Sequence, residues 1–202
     1  SAPATPAAGP DMQAASDTGV SNTDDITGDN TPDFDVTCTE AGATITLYSD
    51  NPAANTVVGT HTCAGTGTET ASVSPAIADG AHNITYSETD IAGNESAQSA
   101  SLAVTVDTSA PTAPTPAPDM TAATDTGVSN TDDITGNNTP DFDVTCSQAG
   151  ATITLYSDNP AANTVVGTHT CAGTGTETAS ISPAVADGAH NITYSETDTA
   201  GN

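Results

Sequence analysis

The stretch SNTDDITGDNTPDFD, Ser21–Asp35, carries five aspartates in fifteen residues and returns as SNTDDITGNNTPDFD over Ser129–Asp143. The 202 residues hold 26 Asp and Glu and no Lys or Arg, a formal charge of -26, so no basic side chain can neutralise these acids. Carboxylates gathered without cationic partners suit a hard cation: calcium takes about six to eight oxygen ligands and tolerates irregular geometry. Asp17, Asp24, Asp25 and Asp29 are the candidate ligands in the first occurrence. Asp125, Asp132 and Asp133 are those in the second, where Asn137 puts a neutral oxygen in place of the fourth carboxylate. The spacing is not that of the EF-hand loop, which needs Asp-x-Asp-x-Asp-Gly and a later Glu. The alternative is a solvated acidic turn whose aspartates cap backbone amides.

Composition limits the partners such a chain can have. Phosphate backbones are bound through clusters of Lys and Arg, which are absent, and that argues against nucleic acid and against an anionic membrane surface. No apolar run approaches the roughly 20 residues that span a bilayer. Ser1 does not open a stretch with a charged start and an apolar middle, and the chain reads as a mature or excised segment. A hydrophobic fraction of 35 % is low but supports a thin core.

The acids must be held by something, and the sequence shows two copies of it. Shifted by 108 residues, the chain matches itself over 94 positions with 13 differences. A unit of this length can bury a core of its own, so residues 1–108 and 109–202 are expected to be two domains, with linker-like segments at 1–10 and 109–118. Within a unit, short runs alternate apolar and polar residues as half-buried strands do. Phe34, Val36 and Cys38 share one face of DFDVTC; Ile45 and Leu47, Ala71 and Val73, Ile84 and Tyr86, and Leu102, Val104 and Val106 do the same in later runs. The expected strands are A near 12–15, B at 33–38, C at 43–48, C′ at 56–63, E at 69–74, F at 82–88 and G at 100–107. Between them EAG, DNPAAN (Asp50–Asn55), AGTGT and ADGA are turn material. About seven antiparallel strands in roughly 100 residues predict an all-β fold of tandem immunoglobulin-like sandwiches. The acidic segment 17–32 then becomes a long A–B loop that needs an ordering agent.

The motifs SDTGVSNTDDITGDNTP, EAGATITLY, ADGAHNITYSETDIAGNES and LAVTVDTSAPTAP together resemble the bacterial immunoglobulin-like repeats of large secreted surface adhesins exported by type I secretion, the biofilm-associated and RTX adhesin type. The resemblance implies an extracellular chain at the bacterial surface, a structural extender that projects an adhesive tip, and calcium bound within or between domains. Sandwich topology places Asp79 and Asp107 near the linker, with Asp198 and Asn202 of the second domain expected to face them across it. Pro111, Pro114, Pro116 and Pro118 make that linker semi-rigid.

Cysteines are a departure from those repeats. Cys38 and Cys63, and again Cys146 and Cys171, lie 25 apart. In an extracellular acidic chain this favours one disulfide per domain over a metal site, which would want C-x-x-C or nearby His, and over two buried free thiols. Such a bridge restricts the unfolded chain by roughly 3 kcal/mol on the chain-entropy model.

No catalytic order or phosphate loop is present, and enzyme activity is not expected. His61 and His82, repeated as His169 and His190, lie on predicted strands and could meet across a sheet, but lack the spacing of a metal site and read as structural. The sequons at Asn83, Asn94 and Asn191 matter only where a glycosylating pathway exists. The second copy reaches Asn202, the counterpart of Asn94, without equivalents of Leu102, Val104 and Val106. That strand is expected either from a continuing chain or from a neighbouring copy, which would make the protein a subunit of an extracellular filament. Beside the extender and filament readings stands a third, a ligand-binding or accessory module of a secreted protein.

Overall fold

The computed structural model describes residues 1–51 and 53–202; Pro52, within the Asp50–Asn55 stretch read as a turn, lies outside the described residues. The chain divides into two compact units, Ser1–Ser109 and Ala110–Ala200. Each is all β, and among the described residues no helix is long and apolar enough to cross a membrane.

In the first unit the period-2 runs become two sheets. One has the order β1 (Asp11–Met12), β3 (Asp33–Cys38), β6 (Gly67–Ser72). The other has the order β2 (Ile26–Thr27), β8 (Leu102–Val106), β7 (Gly80–Thr89), β4 (Thr44–Ser49), β5 (Thr56–Thr62). Because alternate residues of a strand point to opposite faces, Phe34, Val36 and Ala71 from one sheet meet Ile45, Leu47, Ile84, Tyr86, Val104 and Val106 from the other, all buried. Strands B, C, C′, E, F and G stand where the alternation put them, shifted by one or two residues at their ends.

Two expectations for the N-terminal part need correction. Strand A is only Asp11–Met12, because the Gln13 carbonyl accepts the Ser16 and Asp17 amides at 2.8 and 2.9 Å and turns the chain before Ala15. The segment 17–32 is not one continuous loop. Ile26 and Thr27 form β2, which pairs in parallel with β8 in the register Ile26↔Thr105 and Thr27↔Val106. A two-residue strand shows no periodicity, and its partner lies some 80 positions downstream, so nothing local reveals it.

The second unit repeats the plan with β9 (Asp119–Met120), β10 (Asp141–Cys146), β11 (Thr152–Ser157), β12 (Thr164–Thr170), β13 (Gly175–Ser180) and β14 (Ile192–Thr197). Their sheets are β9-β10-β13 and β12-β11-β14. Among the described residues no strand corresponds to β8, and the differences are local. Ile134, the counterpart of Ile26, is 70 % exposed and outside any strand. Met120, Val185, Ile192 and Tyr194 are only partly buried, whereas Met12, Ile77, Ile84 and Tyr86 are buried in the first unit. A groove lined by Met120, Ile134, Phe142, Ile181 and Ile192 lies where β8 lies in the first unit. Val104 and Val106, at about 1.5–3 kcal/mol for each fully buried side chain, show what an occupied slot contributes.

The two sheets close on each other beside Gly59, inside β5. The Ser74 amide donates to the Val58 carbonyl at 2.7 Å, and a Cβ on Gly59 would collide with the Ser72 carbonyl and lie 3.2 Å from Leu47 Cδ1. Gly65, in the following turn, has open space around it. Gly59→Ala is therefore expected to destabilise the first unit by roughly 1–3 kcal/mol, the usual cost of overpacking, while Gly65→Ala stays near neutral. Urea unfolding of the two variants checks this, and equal midpoints would refute the close approach.

Candidate functional site

The turn after β1 carries Asp17 into the first unit, where it is 3 % exposed. Its Oδ2 accepts the Asp25 amide at 3.2 Å, while its buried Oδ1 has no hydrogen-bond partner among the described residues. Asp125 repeats this: Oδ2 accepts the amides of Asp132 and Asp133 at 3.1 and 3.2 Å, and Oδ1 is again buried without a partner. Buried acceptors are nearly always satisfied, and the same orphan oxygen recurs in both units.

Around Asp17 a cleft is lined by Asp11, Asn22, Asp25 and Asp35. Asp25 sits in the left-handed region, φ 59, and its carboxyl is pushed above the ordinary range by burial first and then by the charges of Asp17, Asp11 and Asp24. Of the expected ligands, then, Asp17 and Asp25 converge. Asp24 stands beside them and accepts the Ile26 amide at 3.2 Å. Asp29 is turned to its own loop, accepting the Thr31 amide and hydroxyl at 2.8 and 3.0 Å, as Asn137 does with Thr139 at 3.0 and 3.1 Å. In the second unit Asp132 accepts the Ile134 amide at 3.3 Å, and Asp133 has φ 57. Asp11 and Asp35 escaped the sequence reading, although their pairing across β1 and β3 brings them opposite each other. Asp35 is more than a wet strand position, since it also accepts Gln13 Nε2 at 2.6 Å.

The other expected ligands close loops of their own unit. Asp79 accepts the Thr108 hydroxyl at 2.8 Å, its amide at 3.2 Å and the Ser109 hydroxyl at 2.9 Å, and these donors hold its carboxyl below the usual range. Asp107 accepts the Ser109 amide at 3.0 Å, so one serine joins the two acids where β8 ends. Asp198 accepts the amides of Ala200 and Asn202 at 3.0 and 2.9 Å, the same turn that Asp90 makes with Ala92 and Asn94.

Both cysteine pairs are disulfides, Cys38–Cys63 and Cys146–Cys171, and no free cysteine is left. Each joins the end of strand B in one sheet to the residue after strand C′ in the other. Beside the bridge, His61 Nε2 lies 2.7 Å from Glu69 Oε2. Glu69 also accepts the amides of Ala64 and Gly65 at 3.0 and 2.8 Å, and the Ala64 amide, then His61, then the Gly65 amide lower its carboxyl to about 2. His169 and Glu177 repeat the pair at 2.7 Å. His82 is buried elsewhere: Nε2 donates to the Ala78 carbonyl at 2.8 Å, which leaves Nδ1 to accept the Ser49 hydroxyl at 2.9 Å. His61 and His82 do not meet, because β4 runs between their strands.

A further carboxylate was invisible in the sequence. Glu88, 1 % exposed, accepts the amides of Thr39 and Glu40 and the Thr39 hydroxyl at 2.9–3.1 Å, fixing the turn after strand B.

Two sheets packed face to face, with F and G beside C and C′, define the immunoglobulin-like class. The family profile described as "Bacterial Ig-like domain" matches residues 4–108 and again 112–202, and the chain belongs to that family. Comparison with curated proteins finds no match. Among solved structures the chain is similar to one described as "Biofilm associated protein - BSP domain", at 17 % identity and a TM-score of 0.31, with 94 % of this chain aligned to 27 % of that one. This chain thus spans little more than a quarter of that protein's length.

Glu69 gives a pH signature. Its folded-state pKa lies below the ordinary 4.5, so its stabilisation is fully present above about 4.5 and is lost as pH falls towards about 2. Thermal melts of the chain and of Glu69→Gln should differ at neutral pH and converge through that window. A difference that persists unchanged at pH 2 would exclude the carboxylate as its source.

Proposed function

We propose that the chain is a structural extender of a bacterial surface adhesin, stiffened by calcium and by one disulfide per unit, with no enzymatic role. The family supports the stalk reading, and secretion to the cell surface follows from it. The orphan oxygens of Asp17 and Asp125 carry the calcium part. A cation there receives the buried carboxylate oxygen and offsets the repulsion that Asp11, Asp17 and Asp24 exert on Asp25. Asp11, Asp17, Asp25 and Asp35, with the Asn22 amide oxygen, are the ligands to hand in the first unit. Asp79 with Asp107 in the first unit, and Asp198 with Asn202 in the second, are further candidate ligands, each pair taken within its own unit.

Extracellular calcium modules bind with constants of about 10⁻⁴ to 10⁻³ M. Calcium at a hundredfold excess over such a constant adds about 2.7 kcal/mol per site. Differential scanning calorimetry with calcium and with chelator should therefore show separated midpoints, and Asp17→Asn with Asp125→Asn should remove most of the gap. Identical melting in calcium and in chelator sinks the ion-binding reading while leaving the stalk reading in place.

A second reading concerns the slot that β8 fills in the first unit. The groove over Met120, Phe142, Ile181 and Ile192 has the lining of a strand site, and the first unit fills its own with Leu102, Val104 and Val106. A strand of that pattern fits there whether it comes from a continuation of the chain or from another copy, and in the second case the protein would be a filament subunit. Sedimentation across a range of concentrations decides it: growing polymers are expected, and a monomer throughout refutes it.

A further inference from the structure

The disulfides lie in an unusual setting. One ligand atom each of Cys38, His61 and Glu69 lies within 4.8 Å of the other two, and Cys146, His169 and Glu177 repeat the cluster in the second unit. Cys63 and Cys171 add a second sulfur to each, bonded directly to the first. We propose that each disulfide is the oxidised form of a zinc site whose ligands are the two cysteine thiolates, one histidine and one glutamate.

The strands dictate the arrangement. His61 and Cys63 are two residues apart along one extended segment, so both side chains leave the same face. Cys38 ends β3 opposite Gly67, and Glu69 lies two residues further along the same β6 strand, opposite Val36. Three side chains from three neighbouring segments thus converge, and Cys63 brings a fourth ligand through its bond to Cys38, although the sequence contains no C-x-x-C pair. The cysteines are 1–2 % exposed, while the side chains of His61 and Glu69 are 26 % and 19 % exposed, which leaves the site open on one side for an ion to enter.

Two thiolates, an imidazole and a carboxylate match the tetrahedral set that zinc accepts. The Glu69 carboxylate is aimed already, because the amides of Ala64 and Gly65 hold both of its oxygens. Zinc would take the place of the proton shared by His61 and Glu69, and those two amides would keep the carboxylate oriented, as outer partners of metal ligands do.

The chemistry balances with an external dithiol as reductant. Two electrons and two protons pass from the dithiol to the protein disulfide; the S–S bond breaks, two cysteine thiols form and the reductant leaves as its own disulfide. Zinc then displaces the two thiol protons and forms two Zn–S bonds. The link between the sheets is covalent in an oxidising medium and metal-mediated in a reducing one.

The test uses the whole chain, reduced with a phosphine without oxygen, freed of reductant and titrated with cobalt(II). One ion per unit is expected, with thiolate-to-cobalt charge-transfer absorption, tetrahedral ligand-field bands and the far-UV circular dichroism of a β protein; zinc should bleach the bands. The oxidised chain should give none of these bands. His61→Ala with His169→Ala leaves the cysteines able to pair, so the oxidised variant folds. After reduction its cobalt affinity should fall by at least the ~10-fold that follows loss of an outer partner. No charge-transfer band in the reduced chain would overturn the proposal. So would an unchanged affinity in the histidine variant, or a reduced chain that binds cobalt without regaining β structure.

Discussion

With no lysine or arginine among 202 residues, every carboxylate of this chain has to find its partners among backbone amides, hydroxyls, side-chain amides and four histidines. Ion pairs with basic side chains, the usual answer to 26 negative charges, are not available. The result is a systematic use of acids as clasps for the backbone. Glu88 holds the turn after strand B, Glu69 the turn between β5 and β6, Asp90 the turn after strand F, and Asp79 the exit from β8. A carboxylate that accepts several N–H or O–H donors favours its own ionised form, which is why Glu69, Asp79 and Asp90 all lie below the ordinary range. The clasps are also local in effect: each fixes one connection, and the sheets position the clasps.

Against that pattern Asp17 and Asp125 stand out. They are as buried as Glu88 but only half satisfied, and the first of them faces other acids instead of donors. Burial of an acid without enough donors is the feature on which the calcium proposal rests. The cysteine clusters pose the complementary case, in which a covalent bond now occupies sulfurs that a histidine and a glutamate already surround.

Most of the sandwich was readable from period-2 alternation, because strands B, C, C′, E, F and G each bury one face and wet the other. The spacing of 25 between cysteines was likewise informative once a secreted context was in view. What escaped the sequence shares one property: its partners are distant. β2 is two residues long and exists only through β8; Glu88 meets Thr39 across 49 positions; Asp11 joins Asp35 only after strand pairing. The acidic loop was found by composition, yet composition could not say that Asp29 would cap Thr31 while Asp25 turned inward. Met120, Ile192 and Tyr194 are identical to Met12, Ile84 and Tyr86, so their poorer burial reflects the uncovered slot beside them and not their own identity.

The parallel pairing of β2 with β8 has a mechanical meaning. Its two bonds, from the Thr105 amide to the Asp25 carbonyl at 2.8 Å and from the Asp107 amide to the Thr27 carbonyl at 2.9 Å, tie the N-terminal part of the first unit to its last strand. Tension applied at the two ends of the unit pulls these strands in opposite directions along their axes. The bonds are then loaded together in shear instead of opening one after another. Once they give way, the 25-residue span closed by Cys38 and Cys63 still cannot be drawn out, so the unit lengthens by less than its full contour.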